Sequence, residues 1–197
     1  MNWKRIVFIG LIAFGAYQHF FQHVVTHSDG ELVSTKPLQT SADNVPFKFY
    51  GYTITPLETF EIEARVLARE HYAFDRGADL SPVDLVLGWG PMSDSHMLSQ
   101  IQISQSQRFY YWHVDAFPIP RRDIETHSAN MHMIPASEQL EDQLKSVKVG
   151  QHVKISGYLV QANAPNGFHW KSSLSREDTG AGACELVFVK TLSLSNS

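Results

Sequence analysis

The sequence predicts a β-rich α+β domain, either a small antiparallel barrel or an OB-like meander with two or three short helices, preceded by a single N-terminal transmembrane helix. Three observations predict this. The uncharged run IVFIGLIAFGAY follows Lys4 and Arg5 directly. Apolar and charged residues alternate from Phe60 to Arg69, the period of a half-buried strand. The last third of the chain reads as strand, turn, strand around Pro165-Asn166-Gly167.

Residues 6–25 are long enough to span a bilayer, which takes about 20 mostly apolar residues. Gln18, His19, Gln22 and His23 make the second half more polar, in keeping with a position near the headgroups. Lys4 and Arg5 are expected to stay in the cytoplasm, which puts everything after Val25 on the periplasmic or extracellular side of a bacterial inner membrane. A cleaved signal peptide is the alternative. Its small-x-small site, Ala13-Phe14-Gly15, would leave a peptide near or below the usual lower limit of about 15 residues. Residues 26–46 are polar, rich in Ser and Thr and without a sustained period, so they read as a tether. Residues 47–197 form one β-rich domain, a size that buries enough apolar surface without staples.

Within the domain, FKFYGYTIT is a strand expected to end at Pro56. From Phe60 onward, Phe60, Ile62, Ala64, Val66 and Ala68 share one face, with Glu61, Glu63, Arg65 and Arg69 opposite. Ser81-Pro82-Val83-Asp84 matches a capping box with proline at the first helical position, so a short helix is expected from Pro82 to Leu87, stopped by Gly88. A second is expected over Ser95 to Gln100. Residues 101–114 look like one aromatic strand, PIPRRD breaks the pattern, and MHMI is a short strand. Ser137 caps an amphipathic helix with Leu140 and Leu144 inward. Gln151–Gln161 is a strand with a bend at Gly157, and Phe168–Ser173 and Glu185–Leu192 complete the meander.

The formal net charge is −4, without the basic surplus that phosphate recognition requires, so no nucleic-acid partner is expected. One cysteine, Cys184, excludes an intrachain disulfide.

The stretches LSPVDLVLGWGPMSD, ETHSANMHMIPA and SSLSREDTGAGACELVFV resemble a family of uncharacterised bacterial membrane-anchored proteins over roughly residues 50 to 190. The resemblance implies an envelope location and carries no activity with it.

Candidate chemistry concentrates in two polar, aperiodic segments. In the first, Arg122, His127, Asn130 and His132 are the polar groups of interest. Two histidines five apart fall on opposite faces of a strand, so a metal site is not expected, and no cofactor is implied. Ser128 and Asn130 equally suit an ordered loop bonded to its own backbone. In the second, Arg176, Glu177, Asp178 and Glu185 surround Gly180 and Gly182; either Arg176 holds an anionic ligand or it closes the loop through an internal ion pair. Cys184 is a nucleophile only if a histidine such as His132 or His169 lies beside it, and otherwise an inert core residue. The aromatic residues Trp89, Phe109–Trp112, Phe168 and Trp170 serve a core or a stacking surface.

These readings lead to a membrane-tethered envelope binding or assembly module, with the membrane engaged through residues 6–25 and an anionic or peptide ligand or an envelope protein as partner. The alternatives are an envelope hydrolase using His132 or His127 with Cys184 or a serine, and a structural subunit of a membrane complex. A pocket joining the two polar segments favours the first two; a large apolar surface favours the third.

Overall fold

The computed structural model describes residues 24–178, 180 and 182–195, together with 5, 7, 8 and 10. The expected anchor and the Ala13–Gly15 cleavage site lie almost wholly outside the described residues. Among the described residues no helix is long and apolar enough to cross a membrane.

The domain is β-rich α+β. Its strands are β1 (Leu38–Ser41), β2 (Phe47–Phe49), β3 (Tyr52–His71), β4 (Val83–Gly88), β5 (Gln102–Ser106), β6 (Phe109–His113), β7 (Ser128–Pro135), β8 (His152–Asn163), β9 (His169–Lys171) and β10 (Glu185–Ser195). Three short helices are α1 (Ser95–Leu98), α2 (Arg121–Thr126) and α3 (Glu138–Ser146). The main sheet runs β1-β3-β4-β7-β10-β8-β9, with β2 also on β3, and β3 pairs a second time with β8. The twenty-residue β3 is long enough to serve both neighbours: residues from Thr53 to Arg65 face β8 and those from Arg65 to His71 face β4. The sheet is thereby closed only in part, and it is not the antiparallel barrel that the sequence suggests. It is also mixed, because β10 runs parallel to β7 while pairing antiparallel with β8.

Alternation along β3 places Phe60, Ile62, Ala64 and Val66 inside the ring, each at most 2% exposed, against Leu85, Met131, Val153, Val187 and their neighbours. Ala68 departs from the expected face. A bulge between Val66 and Ala68 shifts the register by one residue, and Ala68 packs outside the ring beside Leu67, Val86 and Ile124. Pro56 does not end the strand; β3 continues through it with a register shift between Pro56 and Glu58. Gly157 sits opposite a further irregularity in β10, where a Cβ would meet the Phe188 carbonyl oxygen at 1.9 Å.

The expected helix from Pro82 to Leu87 is β4, with all six residues of Val83–Gly88 buried. The capping-box spacing is overridden because both faces of this strand are covered, and a strand buried on both sides reads as a continuous apolar run. Residues 101–114 form a hairpin of β5 and β6 instead of one strand. Its two-residue turn, Gln107 and Arg108, has φ of 52° and 69°, the primed-turn geometry that Asn-Gly usually supplies. PIPRRD leads into α2, whose first turn tolerates the preceding Pro120. The helix α3 is capped as expected, Ser137 accepting from the Leu140 N–H, with Leu144 buried.

Within residues 26–46, Val33 is buried and β1 pairs with β3. The Ser93 hydroxyl accepts from the Leu32 and Val33 N–H groups at 3.1 and 3.0 Å. This segment therefore packs on the domain over part of its length.

Candidate functional site

The outward face of β4 and β7 carries an unusual load of buried polar side chains, among them Asp84, Ser128, Asn130 and His132. Asp84 lies directly opposite His132 in the β4–β7 register, and Val86 opposite Asn130. The β5–β6 hairpin and α2 cover this face: Ile103, Tyr110 and Trp112 pack on Val86, Met92 and Ile124.

Arg108, at the hairpin turn, ties the cover down. Its Nη1 donates to Asp84 Oδ1 at 2.7 Å and to the Ser81 carbonyl at 2.9 Å, and its Nε and Nη2 donate to the two Asp75 oxygens at 2.7 and 2.8 Å. Its guanidinium lies 3.6 Å from the Tyr72 ring centroid, and its backbone N–H donates to the Tyr72 hydroxyl at 2.9 Å. Burial works to lower the Arg108 pKa, but the two aspartates outweigh it and raise it. Five donors used in this way explain how a non-glycine residue is held at positive φ in the turn.

Asp84 is fully buried and shared. Its second oxygen, Oδ2, lies 2.9 Å from His132 Nδ1. This is an ion-pair contact off the line of a regular hydrogen bond, since neither atom makes one. Trp170 covers the imidazole, ring centroids 4.6 Å apart. Burial pushes the His132 pKa down, but Asp84 and Cys184 more than offset it, and the balance is upward. The Cys184 sulfur lies 3.9 Å from both Asn130 Nδ2 and the Arg108 carbonyl oxygen. Asn130 is held by Gln105 Nε2, which donates to its Oδ1 at 2.6 Å, and its own Nδ2 donates to the Arg108 carbonyl at 2.8 Å.

A cavity of about 750 Å³ opens beside these groups. Its aromatic wall includes Trp89, Tyr110, Trp112 and Phe117, and its polar lining includes Ser128, Asn130, Cys184, Arg176 and Asp178. The Ser128 hydroxyl donates to the Ile124 carbonyl at 2.7 Å and so accepts from the Tyr110 hydroxyl at 2.9 Å. Two ion pairs stand on the lining. Arg121 Nε donates to Glu125 at 2.8 Å, and Arg176 contacts the nearly fully buried Glu185. Burial holds the Arg176 pKa down at about 10, with Asp178 and Glu58 opposing.

Among the residues singled out in the sequence, Asn130, Arg176, Asp178 and Glu185 meet on this cavity. His127 does not. It caps α2, donates from Nδ1 to the Asp123 carbonyl at 2.9 Å, and lines a smaller groove with Arg122, Arg176 and Glu177. Arg122 and Glu177 form an exposed ion pair at 3.4 Å. Asp178 accepts from the Ser173 hydroxyl at 2.6 Å. His132 is not on the cavity wall; it lies buried against Asp84 and Trp170. Asp84 and Arg108 escaped the sequence reading. The available signal was an acid inside the apolar run VDLVLG, because a charge buried in a strand needs a partner. Among the described residues no group of three or more His, Cys, Asp or Glu side chains is arranged to hold a metal ion.

In comparisons with known proteins, no family model, no curated protein and no solved structure matches this chain.

Proposed function

We propose that this chain is a membrane-tethered module of the bacterial envelope that binds a small ligand in the cavity between the β5–β6 hairpin, α2 and the loop before β10. The carrying observation is the cavity itself, about 750 Å³ with ring-bearing and hydrogen-bonding walls. That is within the range of small-molecule sites. The tether rests on the sequence of residues 6–25 with Lys4 and Arg5 before it.

The strand order supports an OB-like reading of the ring formed by β3, β4, β7, β10 and β8. In folds of that type the second and third strands and the loop joining the fourth and fifth bind the ligand. Here these are β4, β7 and the segment between β8 and β10, and the cavity draws on β7 and on residues 175–185. Fold alone assigns no ligand. The lining narrows the choice. Both arginines are already paired with Glu125 and Glu185, and Asp178 adds a further acid, so a polyanion is disfavoured. The ligand that fits has a flat apolar body for the aromatic wall and one polar end.

Naphthalene sulfonate has that form and stays in water, so it can be titrated into the full chain in non-ionic detergent by calorimetry. One saturable site is expected, weakened about tenfold by Trp112→Ala, which removes one stacking face. Absence of saturable binding, or equal binding by Trp112→Ala with an unchanged circular dichroism spectrum, overturns the reading.

A further inference from the structure

Every residue of β6, from Phe109 to His113, lines the cavity, and Val114 continues the row. Neighbouring residues of a strand point to opposite faces, so a cavity that touches all of them runs along the strand's edge and not over one face. It is the edge away from β5, because no residue of β5 lines the cavity. The ladder determines which groups stand there. The turn has two residues, Gln107 and Arg108, both at positive φ, so Ser106 and Phe109 form the first bonded pair. Bonded pairs alternate along an antiparallel ladder, and Ser104 with Tyr111 and Gln102 with His113 are the next two. Tyr110 and Trp112 therefore turn their backbone N–H and C=O groups away from β5, to the cavity side. Among the described residues no strand pairs with that edge, and no turn or loop backbone bonds to it.

The wall contributed by β7 repeats the pattern. Ser128, Ala129 and Asn130 line the cavity in succession. One edge of these residues is taken by β4, while β10 joins the other edge only from Met131 onward. The cavity is thus bounded by two open strand edges. Free edges are ordinarily blunted by lysine, proline or a bulge. β6 reads Phe109-Tyr110-Tyr111-Trp112-His113 in unbroken register and carries none of these.

We propose that the cavity takes a short extended peptide, which adds a strand to the free edge of β6 and carries aromatic side chains at alternate positions. The inference rests on the reading of the cavity as a ligand site and deepens it: an aromatic side chain is the flat apolar body, and the peptide backbone is the polar part. Pairing with Tyr110 and Trp112 supplies main-chain hydrogen bonds, and aromatic contacts with the exposed rings of Phe109 and Tyr111 fix the register. Arg121, Glu125, Arg176 and Asp178 put both signs of charge on the lining, so the peptide needs no net charge. A second copy of the chain would offer its own β6 only from a folded surface, and the residues from Ser175 to Glu185 that line the cavity leave a slot suited to a single strand.

The probe is an acetylated, amidated pentapeptide alternating threonine and phenylalanine, titrated by calorimetry into the full chain in non-ionic detergent. One saturable site is expected, in competition with naphthalene sulfonate. Successive backbone N–H groups of an extended peptide point to opposite edges, so methylation of the threonine nitrogens blocks one edge and methylation of the phenylalanine nitrogens the other. At least one of the two methylated peptides should bind about tenfold more weakly than the parent peptide. Amide hydrogen exchange followed by NMR gives the matching signature on the chain. Tyr110 and Trp112 should exchange faster than Tyr111 in the free chain and about tenfold slower once the peptide saturates it. Neither measurement needs a variant to fold. The proposal is overturned if both methylated peptides bind as the parent does, if naphthalene sulfonate does not compete, or if Tyr110 and Trp112 gain no protection. It is also overturned if those two amides are already as slow as Tyr111 in the free chain, the result that edge pairing between two copies would give. Naphthalene sulfonate binding without peptide binding removes the strand addition and leaves the cavity reading standing; loss of both removes the two together.

Discussion

On the face of β4, β7 and β10 that points into the ring, Leu85, Leu87, Met131, Met133, Val187 and Val189 are all apolar and fully buried. The other face of β4 and β7 is buried as well, yet it carries Asp84, Asn130 and His132, each at most 3% exposed. Interior packing is non-directional, so many combinations of apolar residues of similar volume would fill the ring. The outward face admits no such freedom. Asp84 is tolerable there only because Arg108 and His132 reach it, and Arg108 reaches it only from the hairpin turn. The inner face holds the sheet together; the outer face holds a cover in place over a cavity. Burial alone does not separate the two roles, whereas the chemistry of what is buried does.

Adjacent residues of β4 provide the sharpest way to break this comparison. Asp84→Ala should destabilise the domain by about 4 kcal/mol, because it leaves Arg108 half-paired and His132 without its carboxylate. Limited proteolysis should then cut first within residues 102–113, the released hairpin. Leu85→Ala should cost about 3 kcal/mol through loss of burial and a residual cavity, with no preferred cut in the hairpin. Denaturant melts with proteolysis at matched stability separate the two, and equal hairpin sensitivity would erase the distinction.

The Arg176–Glu185 pair offers the next largest effect. Arg176→Met alone leaves Glu185 buried without its cation and should cost about 2 kcal/mol, less than the roughly 3 to 5 kcal/mol of a fully buried pair because Arg176 keeps some solvent contact. Arg176→Met with Glu185→Leu should recover to within about 1 kcal/mol of the parent, since apolar residues of similar volume often replace such pairs without loss. A double variant no better than the single one would show that the pair does more than close the loop.

The smallest effect concerns pH. His132 has a raised pKa in the folded chain against an ordinary value of 6.5. A raised folded-state value stabilises fully below 6.5, and that contribution disappears as pH climbs through the folded-state value. The melting temperature of the parent should therefore fall relative to that of His132→Gln as pH rises from below 6.5 to above the raised value. Parallel curves would mean that Asp84 and Cys184 do not favour the charged imidazole.

Much of the domain follows from local signals in the sequence. The inward set Phe60, Ile62, Ala64 and Val66 follows from a period of two, α3 from Ser137 and its two leucines, and the Pro165-Asn166-Gly167 turn from its residue types. Each signal spans a few residues and is read by the backbone of the same segment. The sequence also marked the two polar segments from which Asn130, Arg176, Asp178 and Glu185 reach the cavity. What it could not determine depends on what covers a strand. VDLVLG carries a helix-start spacing, and only the ring on one side and the hairpin on the other make it a strand buried on both faces. The meeting of Asp84 and His132, and of Asn130 and Cys184, likewise needs the β4–β7 register and the parallel β7–β10 pairing, set by contacts between residues about 50 apart in the chain. Periodicity assigns a residue to a face; only the closed path of strands decides which side chains of different segments share that face, and therefore which acid meets which base.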